Sequence, residues 1–546
     1  MPRNYVPDAH IVRSALGMAQ DKSPAPPINK YSSYPNLLPY ALLPIYAGHF
    51  GLGLARGEWS GVGEFKDDLI DEPGQVHLLA RWLIAIFGAL TPIVAFRAAR
   101  AAGLDEGAWV AAWLVATGLM HVHFSLQERP WVPTVFFTTL AAWPAAIYVR
   151  NPGPRSLIYS GLAAGAAAAC HQSGLFALAV PGFAWLVSPL GWSGEDLRSR
   201  LLQGVKCVAI FFALVLLIGY PSYLLHGLPS NEQTIGGGKA DLDFGGQAIN
   251  FDRRWQTFPH LARAFFGYGP VLTILGILGF ARFLRQRVAL PAGLFALGWA
   301  AFFMTHQNDH VRYLLPLAVL GALPAGSAVE LAWRRGGVLR VLVLVLLAVP
   351  LALSLRLGSV IVQDDTRAQA ETMMASLDPA AFVAIDRHGP RPELDRASLE
   401  ELQSIRQATG SSLYTREARR LERMLAGGPD GGVHGLFVED LFEIDERSQE
   451  VSVRKGLEDL YGKTPEAVFD HLGFTHLLIV DRLAGSGEEH FWSEFVGGRG
   501  PLDSATPYPA GMAGGEARLP MELEFPLASL WRLERPGPWL GLYDLR

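Results

Sequence analysis

Two arginines stand where a charge is expensive. Arg81 lies about a turn and a half inside an apolar run that starts near Gln75, and Arg312 opens another from the polar stretch HQNDHVRY. A cation at the centre of a membrane helix costs about 2.5–3.5 kcal/mol on the insertion scale, so one retained in such a run is a functional hypothesis by default. The guanidinium fork can donate two charge-assisted hydrogen bonds to a phosphate. Near a helix end the competing reading is snorkelling to the interface. It weighs less on Arg312, because other polar residues gather around it.

His171, His306 and His310 are residue types that bind metals, and Asp309 adjoins the last of them. His306 and His310 share a helical face only if a helix continues through Asn308. The HExxH pattern that would make such a pair specific for zinc is absent. Hydrogen bonding to headgroups or substrate is the preferred reading. Nor do the glycines of GGGK form a phosphate-binding loop, since no strand precedes them and no Ser or Thr follows the Lys.

These residues must be held by elements that cross a membrane. Half of the residues are hydrophobic and only 18% are charged, and the charges fall mainly after Gln363. A crossing helix needs about 20 mainly apolar residues. The pattern predicts ten spans: Val76–Ala99, Gly107–Phe124, Trp131–Val149, Ser156–Cys170, Ser173–Val187, Cys207–Leu225, Ala264–Ala281, Val288–Phe303, Val311–Leu331 and Val338–Leu357. Leu37–Leu54 would be an eleventh, but with Pro39, Pro44 and His49 it reads as an interfacial helix on the outer face. The fold class is therefore a polytopic α-helical membrane protein of about ten or eleven spans. Residues 1–75 form an outer loop with that helix, 76–360 the membrane domain, and 361–546 a soluble domain. In the last, the apolar runs AAFVAID, HGLFVED, THLLIVD and LWRLER alternate with SLEELQSIRQATG and SVRKGLEDLYG, which predicts a small α/β layer. No catalytic motif is evident there.

Orientation follows from basic residues, which concentrate in cytoplasmic loops. One set of alternate loops carries thirteen: Arg97, Arg100, Arg150, Arg155, Arg198, Arg200, Lys206, Arg282, Arg285, Arg287, Arg334, Arg335 and Arg340. The other carries Arg129, none around His171, four across Lys239–Arg263, and Arg312. The first set is cytoplasmic, which places residues before Gln75 and after Val360 outside. No signal peptide precedes Met1 to take the first loop there, so one more helix is expected upstream. The net charge of -5 gives no support to a nucleic-acid partner. Cys170 and Cys207, both in apolar stretches, exclude a disulfide framework and a cysteine metal site.

The order of motifs resembles the GT-C membrane glycosyltransferases, which include the protein mannosyltransferases, the aminoarabinose transferases of lipid A and the Rgt-like enzymes. YVPDAHIVRSALGM followed by KYSSYPNLLPYALLP is similar to their first external loop, with Asp8 at the position of its acid. LARWLIAIFGALTPIVAF, HFSLQERPWVPTVFF, YSGLAAGAAAACHQSGLFAL, HVRYLLPLAVLGALP and DDTRAQAETMM then follow in the family's order, over roughly residues 1–375. The chain departs from the pattern at Ala9 and Asn36. It departs again where the second external turn often carries an Asp: Trp131 stands there, with Glu128 nearby.

The resemblance implies an inverting transfer of a sugar from a polyprenyl-phosphate carrier to a lipid, glycan or protein acceptor on the extracytoplasmic face of a plasma or inner membrane. Such a transfer needs a base for the acceptor proton and positive charge for the leaving phosphate. On this reading Asp8 is the base, and Arg81, Arg129, His171, His306, His310, Arg312 and Tyr313 bind substrate. The outer loop with Trp255, Phe258 and His260 would border the cavity; an amphipathic helix at the headgroups is the alternative. No organic cofactor is implied, and a divalent cation stays open because some members use one. A membrane transporter is the rival reading, although no internal repeat joins the two halves. A third is a noncatalytic anchor for the soluble domain, which would leave the polar clusters unexplained.

Overall fold

The computed structural model describes the chain except for residues 1–9, 27–33, 228–241, 245–246, 250–252, 307–309, 411–414, 428–430, 445–450, 482–491 and 509–525. Two hydrophobic cores organise it. One fills a helical bundle between Ile11 and Val360, and the other fills a sheet domain between Ala370 and Leu542. The chain is a multi-pass membrane protein by the length and apolarity of its helices: five could each cross a bilayer, or eight if each of three bent pairs is one span.

The ten apolar runs of the sequence pattern fall in helices of unequal length and straightness. Ser156–Cys170, Ser173–Val187 and Val288–Phe303 lie in the shorter helices, including Pro154–Cys170 at 17 residues and Leu290–Phe303 at 14. Small residues explain the first. A methyl group on Gly161 would sit 2.7 Å from Cys207 Sγ, so this helix is pressed against its neighbour rather than against lipid. Ala264–Ala281 is broken by 109° at Gly269–Pro270. Proline lacks the N–H of a continuing helix and clashes with the preceding turn. The Gly107–Phe124 run bends 50° at Gly118, and the Val311–Leu331 run bends 40° at Gly321.

Leu37–Arg56 is long and apolar enough to cross. Just before it, Tyr34 lies on His171. Midway along it, the Tyr46 hydroxyl donates to the Val76 carbonyl at the start of helix Gly74–Ala101. Beyond it, Asp67 and Asp71 pair with Arg423 of the sheet domain, both at 2.9 Å.

The opposite end of the bundle is an arginine rim. Arg150 donates to the Ala101 carbonyl, Arg287 to those of Val187 and Ser188, and Arg100 pairs with Asp105. Glu330, its side chain only 4% exposed, accepts the backbone N–H groups of Asp105 at 2.9 Å and Gly107 at 3.2 Å, and holds Arg334 at 2.6 Å. It thereby satisfies the amino end of helix Glu106–Thr117 from a distant helix, Ala322–Arg335. The two helices touch at Gly107 and Gly326, where a methyl group on either would fall 2.5 or 2.2 Å from the other's carbonyl oxygen.

Among the described residues the main sheet of this domain has five strands in the order Gly435–Phe437, Val383–Ile385, His476–Asp481, Trp539–Asp544, Asp503–Ala505. The first three are parallel and the last two antiparallel. Asp386, just past its strand, accepts from the Val480 N–H and the Trp492 indole N–H, which fills the crevice between the two parallel strands. LWRLER was expected as an apolar run of this layer, but Pro526–Arg532 is helical. Leu527, Leu530 and Leu533 recur at helical spacing and pack on the membrane core, while WLGLYD supplies the strand. SVRKGLEDLYG likewise begins as a strand, Val451–Val453, before its short helix.

Candidate active site

Helix Gly74–Ala101 carries His77 and Arg81 near its amino end and Arg97 and Arg100 near its carboxyl end. Helix Trp131–Arg150 runs the same way between Trp131 and Arg150. At about 1.5 Å per residue, roughly 30 Å separates the arginine rim from the end where the candidate residues lie.

There the side chains form a connected layer. The His171 ring lies 4.0 Å from Trp131, between centroids, and 5.3 Å from Tyr34, which in turn meets His10 at 5.0 Å. Arg312 stands over the Trp131 ring at 5.5 Å, and Tyr313 meets the same indole edge-on at 5.3 Å. Trp131, at 5% exposure, has an indole N–H with no hydrogen-bond acceptor among the described residues. His171 sits where helix Pro154–Cys170 gives way to a tight turn, and its Nδ1 accepts the Ser173 N–H. Arg312 and Tyr313 lie in a similar turn, Val311–Leu314. Both rings and the guanidinium are thus presented from helix breaks, where side chains reach the end of the bundle rather than its flank.

Next to this layer is a buried carboxylate. Glu128 is 4% exposed; one oxygen lies 2.8 Å from His77 Nδ1 and the other 3.8 Å from Arg81. His77 and Arg81 are four residues apart and share a helical face. Arg129, adjacent in sequence, is buried at 5% exposure.

The structure brings Arg81, Arg129, His171, Arg312 and Tyr313 to one end of the bundle. The His310 ring lies tilted 5.9 Å from that of Tyr313. His306 meets Phe303, which stacks on Tyr313, and its carbonyl accepts from the Thr257 hydroxyl. The helix before them ends at Phe303 and the next turn starts at Val311, so the two histidines do not share a helical face. Asp8, Asp309 and the GGGK glycines lie outside the described residues. Among the described residues no group of three or more His, Cys, Asp or Glu side chains could hold a metal.

Sequence reasoning passed over His10, Tyr34 and His77, and left Glu128 without a role. The signal for the last two was present: His77 and Arg81 at helical spacing, and one acid in an otherwise apolar turn. Nothing local marks Tyr34 or His10.

No known family's sequence profile matches the chain, and no curated protein matches it. Solved structures similar to it include the Archaeoglobus fulgidus oligosaccharyltransferase in complex with Zn and sulfate, at 10% identity and a TM-score of 0.41, over 83% of this chain and 60% of that one. ArnT from Cupriavidus metallidurans in the apo state is 16% identical with a TM-score of 0.35, over 63% and 56%. The same ArnT bound to undecaprenyl phosphate gives 16% and 0.32, over 55% and 52%. The chain thus spans 60% or less of the length of each of these three.

Proposed function

We propose that this chain is an inverting glycosyltransferase that moves a sugar from a polyprenyl-phosphate carrier to an acceptor on the extracytoplasmic membrane face. The observation that carries the reading is the meeting of Arg312, His171 and Tyr313 on Trp131 at the end of the bundle away from the arginine rim. An acceptor hydroxyl attacks the anomeric carbon as the bond from that carbon to the phosphate oxygen breaks. The acceptor proton passes to the Asp8 carboxylate, and the carrier leaves with the bonding pair as polyprenyl phosphate. Arg312 donates to that phosphate, while the Trp131 N–H and the Tyr313 ring hold the sugar or its phosphate. His10 belongs to the same layer, and the role of Asp8 is what the resemblance implies. Glu128 fixes His77 and Arg81 rather than reacting.

Arg312→Ala is expected to weaken donor binding by about 10-fold to 100-fold, the worth of a charge-assisted hydrogen bond. Titration of the purified, full-length protein with a polyprenyl-phosphate sugar measures it; an unchanged affinity removes Arg312 from the donor site. Sugar transfer from the same donor tests the reaction. Substrate crossing liposomes without any transfer would favour a transporter.

Orientation is tested separately. Reporter fusions after Arg100, Arg155, Arg287 and Arg335 should report cytoplasm, and a fusion after Asp365 the outside. A cytoplasmic report after Asp365 would put the proposed site on the wrong side of the membrane.

A further inference from the structure

The sheet domain holds a cleft that the transfer reaction does not use. It has a volume of about 210 Å³ and opens between helices Arg396–Thr409 and Thr415–Gly427 and the carboxyl end of strand Gly435–Phe437. In open α/β sheets ligands bind beyond the carboxyl ends of strands. The crevice beside the central parallel strands is filled by Asp386 and Trp492, whereas this neighbouring cleft is open.

Its chemistry is mixed in a definite way. Three guanidinium groups line it, those of Arg391, Arg406 and Arg420, together with the carboxylates of Glu439 and Asp440. Arg391 is ion-paired with Glu439 and lies 4.1 Å over the Phe437 ring, so it is fixed on two sides. Arg406 meets Asp440 at 3.7 Å, and its buried Nε–H has no acceptor among the described residues. Arg420 makes no ion pair among the described residues. Among the described residues one positive charge on the wall is therefore left over. Leu399, Leu402 and Met424 supply an apolar floor.

We infer that this cleft binds a small organic anion that also carries hydroxyl or amino donors, such as a sugar phosphate or a sugar carboxylate. The guanidinium groups of Arg420 and Arg406 take the anionic group, since a planar fork matches a carboxylate or phosphate. Glu439 and Asp440 are acceptors only, so what they recognise on the same ligand is a hydroxyl or an amine. A neutral sugar leaves the arginines unanswered, and a bare hydrocarbon acid leaves the carboxylates unanswered. The site does not depend on the proposed transfer reaction, and its test makes no use of a lipid-linked donor.

Isothermal titration of the full-length protein in detergent at low salt uses three probes: glucose 6-phosphate, glucuronate and neutral glucose. Low salt matters because exposed charges are screened within about 10 Å at 0.1 M. At least one of the two anions should bind, and which of them binds tighter identifies the group. Glucose should bind at least about 10-fold more weakly. Arg420→Ala and Arg406→Gln should each weaken the anion by about 10-fold to 100-fold. Arg420→Lys, which keeps the charge without the fork, should fall between. A thermal melt of each variant separates lost binding from lost folding. The assignment is overturned if neither anion binds at millimolar concentration, if glucose matches them, or if Arg420→Ala and Arg406→Gln both fold and bind as the unaltered protein does.

Discussion

Asp8→Asn is expected to bind the lipid-linked donor with unaltered affinity and to turn it over about 100-fold to 10,000-fold more slowly, the usual contribution of a positioned general base. The substitution keeps the size and the hydrogen-bonding capacity of the side chain and removes only its ability to take a proton. Loss in kcat with KM for the donor unchanged is the signature of an interaction made in the transition state alone. Single-turnover transfer and equilibrium binding of the same preparation give the two quantities. Full turnover by Asp8→Asn would remove this residue as the base while leaving the site and its cationic layer in place.

The second large effect concerns stability. Glu128→Ala should cost about 3 kcal/mol or more, because truncating one partner of a buried ion pair leaves the other desolvated and unanswered. Its carboxylate is 4% exposed, with His77 at 2.8 Å and Arg81 at 3.8 Å. Glu128→Gln keeps a hydrogen bond to His77 and gives up the charge, so it should lose less, about 1–2 kcal/mol. Melting temperatures in detergent rank the variants, and a double-mutant cycle with His77→Ala isolates the pair. Coupling near zero would mean that Glu128 does not hold His77, and its assignment to positioning would fail. Transfer activity should fall in both variants, since the same carboxylate holds Arg81.

Much of this arrangement could be read from residue types, and the parts that could not have a physical reason. Arg81 and Arg312 drew attention because a charge within an apolar run is costly wherever the run folds. His171 stood out as the polar end of a small-residue helix. Spans were harder, because apolar length alone does not tell lipid from protein as the neighbour. Pro154–Cys170 is apolar and short because its glycines and alanines face other helices. The break at Gly269–Pro270 was signalled by its two residues, yet the hydrophobic run reads straight through them. Leu530 reads equally well as a strand or a helix residue until the membrane core that it covers is known. The layer around Trp131 could not be assembled at all from one sequence, since Tyr34, Trp131, His171 and Tyr313 lie far apart in the chain and meet only once the bundle has packed.

Glu330 imposes an order on how this protein is made. The amino end of helix Glu106–Thr117 leaves the ribosome with its N–H groups unanswered, and the carboxylate that will answer them is 223 residues further on. At about 5–20 residues per second, roughly ten to forty-five seconds pass before it emerges. Until then the rim end of that helix has water or a membrane insertion partner in place of Glu330, and Gly107 lacks the Gly326 backbone it packs against. A nascent chain arrested before Ala322 should accordingly hold this helix loosely, open to proteases and to exchange, and tighten abruptly once Glu330 is released.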